Sequence, residues 1–119
     1  MKFDWNYIPA GAPYLTIGTL GISLNSAVLS LLGNPNKILL GFDPEAMAIG
    51  VKPYEGELGV KPYDIGGRVK NGWVKIGCKD FIQFLSQRSG IQFSPAKRFI
   101  AARDHESNIL YVNLNEKEG

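Results

Sequence analysis

The sequence predicts a mainly β protein with two short helices, folded as a small pseudo-twofold β-barrel from two strand–helix–hairpin repeats. Three observations carry this. First, Lys37–Val51 (KILLGFDPEAMAIGV) returns, altered but recognisable, as Arg98–Val112 (RFIAARDHESNILYV) at an ungapped offset of 61. Lys37 falls on Arg98, Asp43 on Asp104, Glu45 on Glu106 and Val51 on Val112. Each copy is an apolar run, a short acidic turn and a second apolar run, the pattern of a β-hairpin. Second, a short strand and a helical stretch precede each copy. Third, 14 glycines and 7 prolines in 119 residues imply many turns. At this length residues 1–119 form one domain, with repeats over about 15–52 and 66–114 and a connector over 53–65.

The elements follow in order. Residues Met1–Pro13 are an aromatic lead-in, with Trp5 and Tyr7 on one face of an extended segment. Tyr14–Gly18 and Leu20–Leu24 read as strands. Asn25 or Ser26 can cap a helix over Ser26–Leu32, because either side chain can accept a bond from an orphan backbone N–H. Val28, Leu31 and Leu32 would be its buried face, and Gly33 its stop. Asn34-Pro35-Asn36 is a turn into the first hairpin. The tetrapeptide VKPY occurs at Val51–Tyr54 and again at Val60–Tyr63. Its prolines keep both copies out of central strands.

Gly66-Gly67 marks a turn or bulge. Strands Arg68–Lys70 and Trp73–Ile76 are expected to pair across Asn71-Gly72, the strongest short-range turn signal in the chain. A second helix is expected over Cys78–Ser89. Phe81, Phe84 and Leu85 would form its apolar stripe together with Arg88, Asp80 would sit in its first turn, and Gly90 would end it. An irregular Ile91–Ala96 leads to the second hairpin, and the polar tail Asn113–Gly119 is expected to fray. The strand Ile22–Leu24 maps on Val74–Ile76 at an offset of 52. Two such units could close each other's sheet edges.

Charge is unevenly spread. Between Ile65 and Arg103 lie Arg68, Lys70, Lys75, Lys79, Arg88, Lys97, Arg98 and Arg103, opposed only by Asp80. That span carries +7 and the rest of the chain −5, which together give the net +2. Two outcomes are open: the cations meet a polyanionic partner, or they pair with acids inside the fold. Alternation would turn Trp73 and Lys75 outward if Val74 and Ile76 face in, and an exposed indole among cations can stack on a base. The open alternative is that Trp73 packs under a neighbouring strand or at a subunit contact.

Catalytic chemistry finds little support. The single histidine, His105, occupies the turn position held by Pro44 in the first copy, which points to turn packaging. The paired acids Asp43/Glu45 and Asp104/Glu106 sit at hairpin tips, which usually face water. Cys78, the only cysteine, excludes an intramolecular disulfide and fits a reducing compartment. It lies near a helix start, but no base is placed by sequence to activate it. Ser23 and Ser94 lack a nucleophile-elbow context, and Gly18-Thr19-Leu20-Gly21 lacks the lysine of a phosphate loop. No cofactor or metal is expected. The start, MKFDWNYIP, lacks a signal-peptide core, and the longest apolar stretch is far short of the ~20 residues that span a bilayer. A cytoplasmic protein without a membrane segment is the expectation.

The unit resembles that of the AbrB-like swapped-hairpin proteins, which include MazE-type antitoxins and tandem MraZ-type regulators. The resemblance rests on Leu20, Gly21, Ile22-Ser23-Leu24, a helix ending Leu32-Gly33 and the Lys37–Val51 hairpin. In the second half it rests on Gly72, Val74-Lys75-Ile76 and Arg98–Val112. Asn25 and Gly77 stand where the family has proline, and Thr19, Leu29 and Ser30 where its first unit is basic. The architecture is also similar to double-psi barrels. One enzyme group of that kind matures at a Gly-Ser bond, and this sequence contains none. The resemblance implies a non-enzymatic regulatory domain that contacts double-stranded DNA through its second half. Arg68, Lys70, Trp73, Lys75, Lys79, Arg88 and Arg98 are the candidate contacts. The alternative is a protein-interaction or assembly module, antitoxin-like or from a mobile element, pairing with a protein partner or itself through Trp5, Tyr7 and the VKPY segments. A small enzyme with a barrel cleft ranks last.

Overall fold

A computed structural model describes residues 12–104, 106–115 and 117–118. Trp5, Tyr7 and His105 lie outside these. The first repeat supplies β1 (Tyr14–Ile17), β2 (Gly21–Asn25), α1 (Ser26–Leu31), β3 (Lys37–Asp43) and β4 (Ala48–Pro53). The rest of the chain supplies β5 (Tyr63–Asp64), β6 (Trp73–Gly77), α2 (Lys79–Ser89), β7 (Lys97–Ile100), β8 (Ala102–Asp104), β9 (Ile109–Asn113) and β10 (Lys117–Glu118). The protein is therefore mainly β with two helices.

The strands form two antiparallel five-stranded sheets, ordered β10-β7-β1-β2-β6 and β5-β3-β4-β9-β8. Among the described residues neither order closes on itself, so the single closed barrel expected from the repeat is not formed. The second hairpin shows where the strands part. Its first strand breaks at Ala101, whose N–H is bonded to the Pro13 carbonyl at 3.0 Å. β7 before the break joins the first sheet, and β8 after it joins the second.

Both sheets cover one core. Leu15, Ile17, Ile22, Leu24, Val74 and Phe99 point inward from the first sheet, and Ile38, Ile49, Val51, Leu110 and Val112 from the second. Alternation along each strand sets this, since neighbouring side chains leave a strand on opposite faces. In β9, for example, Leu110 and Val112 are buried while Tyr111 is exposed.

The first hairpin forms as its sequence requires. The Asp43 carboxylate accepts from the backbone N–H groups of Glu45 (3.0 Å) and Ala46 (3.2 Å), and Met47 turns left-handed at φ 54°. Asp104 accepts from Glu106 N–H at 3.1 Å, and Asn108 also has φ 54°. The cross-strand pairs 41–50, 42–49 and 43–48 of β3–β4 match 102–111, 103–110 and 104–109 of β8–β9, each shifted by 61. The strand pairs between the halves keep the offsets too. Gly50 faces Tyr111 across β4–β9, and Ser23 faces Lys75 across β2–β6.

Two helix ends follow the capping rules, whereas Cys78 at the start of α2 supplies no side-chain cap. Asn25 caps α1 by accepting from Val28 N–H at 3.2 Å, and Gly90 closes α2 in the left-handed conformation at φ 74°. Several expectations change. Leu29, not Leu31, joins Val28 and Leu32 in the core, because Leu31 rotates to the open side of α1. On α2 the buried residues are Ile82 and Leu85, whereas Phe84 is exposed and Phe81 half-buried. The helix thus sits about one residue round from the expected stripe. Arg68–Lys70 is not a strand; only Lys70 bridges to Trp73. The first VKPY copy does enter a central strand, since Val51–Pro53 ends β4 between β3 and β9, with Pro53 lying past the stretch that β9 pairs. The tail does not simply fray, since the β10 backbone pairs with β7.

Candidate nucleic-acid interface

The solvent face of the first sheet gathers much of the basic half. On β6, Val74 and Ile76 are buried, so Trp73 and Lys75 point outward, as alternation requires. The Asn71-Gly72 turn, with φ of 53° and 81°, folds Lys70 back onto Trp73. Each of these two residues donates its N–H to the other's carbonyl, at 2.8 and 3.0 Å.

One row of outward residues crosses the sheet. Arg98 on β7 stands between Glu118 of β10 and Thr16 of β1 in the ladder, Thr16 faces Ser23 on β2, and Ser23 faces Lys75 on β6. The two middle residues are short, which leaves a trough between two long cationic side chains. Arg98 leans over it. Its guanidinium lies 5.4 Å from the Tyr14 ring centre and 5.6 Å from that of Trp73. Two ring faces hold the cation, each worth roughly 0.5–1 kcal/mol at an exposed site. Arg98 and Lys75 are exposed, and the two aromatic residues half-buried. Beside the row a groove of about 290 Å³ runs under Lys75, walled by Thr16, Ser23 and Ser94.

Lys52 pairs with Glu57 at 3.2 Å, outside the basic span. That pair bears on neither of the two outcomes left open by the charge count.

The remaining candidates scatter. Lys79 is exposed at the start of α2, just beyond β6. Arg68 is exposed in the turn after β5, where its backbone N–H donates to the Ile65 carbonyl at 3.2 Å. Arg88 lies over Phe84 at 5.4 Å, and Phe84 meets Phe42 of β3 edge-to-face at 5.9 Å, so Arg88 is tied to the first hairpin instead. Tyr14, Thr16 and Ser23 share this candidate face and were not among the candidate contacts that the sequence singled out. The alternation in β1 puts Tyr14 and Thr16 on one face, but nothing local shows that β1 lies beside β7.

Other chemistry is not assembled among the described residues. No group of three or more His, Cys, Asp or Glu could hold a metal. Cys78 is buried, and burial pushes its thiol pKa up, the opposite of an activated nucleophile. Asp43 and Asp104 accept bonds from their own turns. A more apolar groove, about 460 Å³, lies on the outer face of the second sheet between Leu39, Val60 and Ile109, with Gly41 and Gly50 on its floor. No described helix is long and apolar enough to cross a membrane.

No family model, curated protein or solved structure matches the chain.

Proposed function

We propose that this chain is a non-enzymatic, AbrB-like regulatory module that binds double-stranded DNA through the outer face of its first sheet. The observation that carries the reading is the cluster Trp73–Arg98–Tyr14 beside Lys75, in which the two cations are exposed and Arg98 is seated on two rings. Lys70 and Lys75 would neutralise phosphates, and the stacked Arg98 would be held ready for the backbone. The kept offsets, with Gly50 opposite Tyr111 and Ser23 opposite Lys75, support reading the halves as repeats about a local dyad. A cytoplasmic location goes with the reading and is supported by the lone, unpaired Cys78.

The test is fluorescence anisotropy with labelled duplex DNA over a range of salt. Affinity should fall steeply and log-linearly with salt. Lys75→Ala should weaken binding to all sequences alike and reduce the salt slope by about 1. A duplex left unbound at low salt would remove the reading. The second reading, an assembly module, is favoured by the apolar groove on the second sheet and by Leu58, 96% exposed on the nearby loop. A dimer or a specific protein complex abolished by Leu58→Asp would support it.

A further inference from the structure

Helix α2 carries a polar stripe on the side away from the core. Lys79, Gln83 and Gln87 follow one another at four-residue spacing, so they line one side of the helix. All three are exposed, while Ile82 and Leu85 alone are buried and hold α2 to the core. With Gln92 they line a groove of about 600 Å³ whose other wall is Thr19 and Leu20. The same two residues, in the β1–β2 turn, also line the groove under Lys75. The β1–β2 turn is thus a wall common to both grooves, one on the first sheet and one on α2. Their linings include Lys75 and Lys79 but no carboxylate, although the chain has 11 acids.

Neutral amides carry no charge for long-range attraction to phosphate, although their N–H groups can donate to it. What they offer is a donor and an acceptor side by side. That pair matches the N6/N7 edge of adenine in the major groove, which is wide enough to admit a helix. Gln83 and Gln87 are separated by about 6 Å along the helix axis, close to two base-pair steps of roughly 3.4 Å each.

We propose that α2 is the base-reading element of the surface. Gln83 and Gln87 read adenine edges in the major groove, while Lys75 and Lys79 hold flanking phosphates. This rests on the DNA-binding reading above and adds sequence preference to it.

The experiment is selection from a random-sequence duplex pool, followed by anisotropy on the recovered duplex and on the unselected pool. The wild-type protein should recover duplexes with adenines about two steps apart and bind them at least tenfold more tightly than the pool. The Gln83→Ala/Gln87→Ala variant should keep the pool affinity and bind the recovered duplex no better than the pool. Lys75→Ala should weaken both equally. Binding to the pool with no adenine-containing motif recovered overturns the inference and leaves the DNA-binding reading standing. So does a double variant that keeps the wild-type preference. No binding to any duplex removes both.

Discussion

Gly21 and Gly77 face each other across the β2–β6 ladder, yet a methyl group should have opposite consequences at the two positions. At Gly21 a Cβ would overlap the backbone carbonyl oxygen of Ile76 and lie 3.0 Å from its carbonyl carbon and 3.2 Å from Gly77 Cα. All three are backbone atoms, so no side chain can swing aside and β6 itself must move. At Gly77 a Cβ meets nothing within 4 Å. Moving β6 weakens ladder hydrogen bonds worth about 1 kcal/mol each. It also shifts Val74 and Ile76, which are 0% and 5% exposed, in a packed core, at a typical cost of about 1–3 kcal/mol. Gly21→Ala should therefore lose about 2–4 kcal/mol, a large share of the ~5–15 kcal/mol that holds most domains folded. Gly77→Ala should stay within about 1 kcal/mol of the parent, because alanine restricts the unfolded chain without a clash. Urea unfolding followed by far-UV circular dichroism would read this. At an m-value of about 1–3 kcal/mol/M, the Gly21→Ala midpoint should drop by roughly 1–2 M. Equal midpoints for the two variants would refute the close approach of β2 to β6.

Two further predictions concern Asn25 and the alkaline limb of stability. The Asn25 side-chain oxygen accepts from Val28 N–H (3.2 Å) and Tyr14 N–H (3.1 Å), and its amide donates to the Ala12 carbonyl at 2.7 Å. Asn25→Ala should cost about 2–3 kcal/mol, a cap plus stranded backbone groups, and Asn25→Asp, which keeps the acceptor for Val28 and Tyr14 but loses the donor to Ala12, should recover only the cap, about 1 kcal/mol. Equal urea midpoints for the two variants would contradict the capping role. Burial raises the Cys78 thiol pKa, partly offset by a hydrogen bond with the Ile22 backbone. Burial, then the charges of Cys78 and Asp80, raise the Tyr63 phenol. Both groups fold in the protonated form. Their contribution is complete below the unfolded values, about 8.5 and 10, and is lost as pH rises through the folded ones. Stability should decline above about pH 8.5, and Cys78→Ala should flatten the first part of that decline; a midpoint constant from pH 8 to 10 would exclude it.

The features legible in the sequence were those specified by neighbouring residues. The β3–β4 turn is set by Asp43 and its own backbone. The helix stops at Gly33 and Gly90 and the outward turn of Trp73 and Lys75 are likewise local. What escaped depended on partners distant in the chain. On α2 both an 81–84–85 and an 82–85–89 face fit helical spacing, and only the sheet beneath chooses between them. Phe84 finds Phe42 of β3 instead of the core. The interface divides in the same way. Trp73 and Lys75 could be paired by alternation, but Arg98 reaches them only because β1 and β2 lie between β7 and β6. β10 was missed because Lys117 and Glu118 join β7 through backbone groups, which side-chain chemistry does not announce.

The strand order has a consequence for how the chain can be divided. Each sheet takes β-strands from before and after the Gly56–Gly59 loop: β1 and β2 with β6 and β7 in one, β3 and β4 with β8 and β9 in the other. Neither piece owns a finished sheet, so each should fail to fold on its own. A protease nick at that loop would leave two interlocked polypeptides, and the separated fragments would be natural halves for a reconstitution reporter.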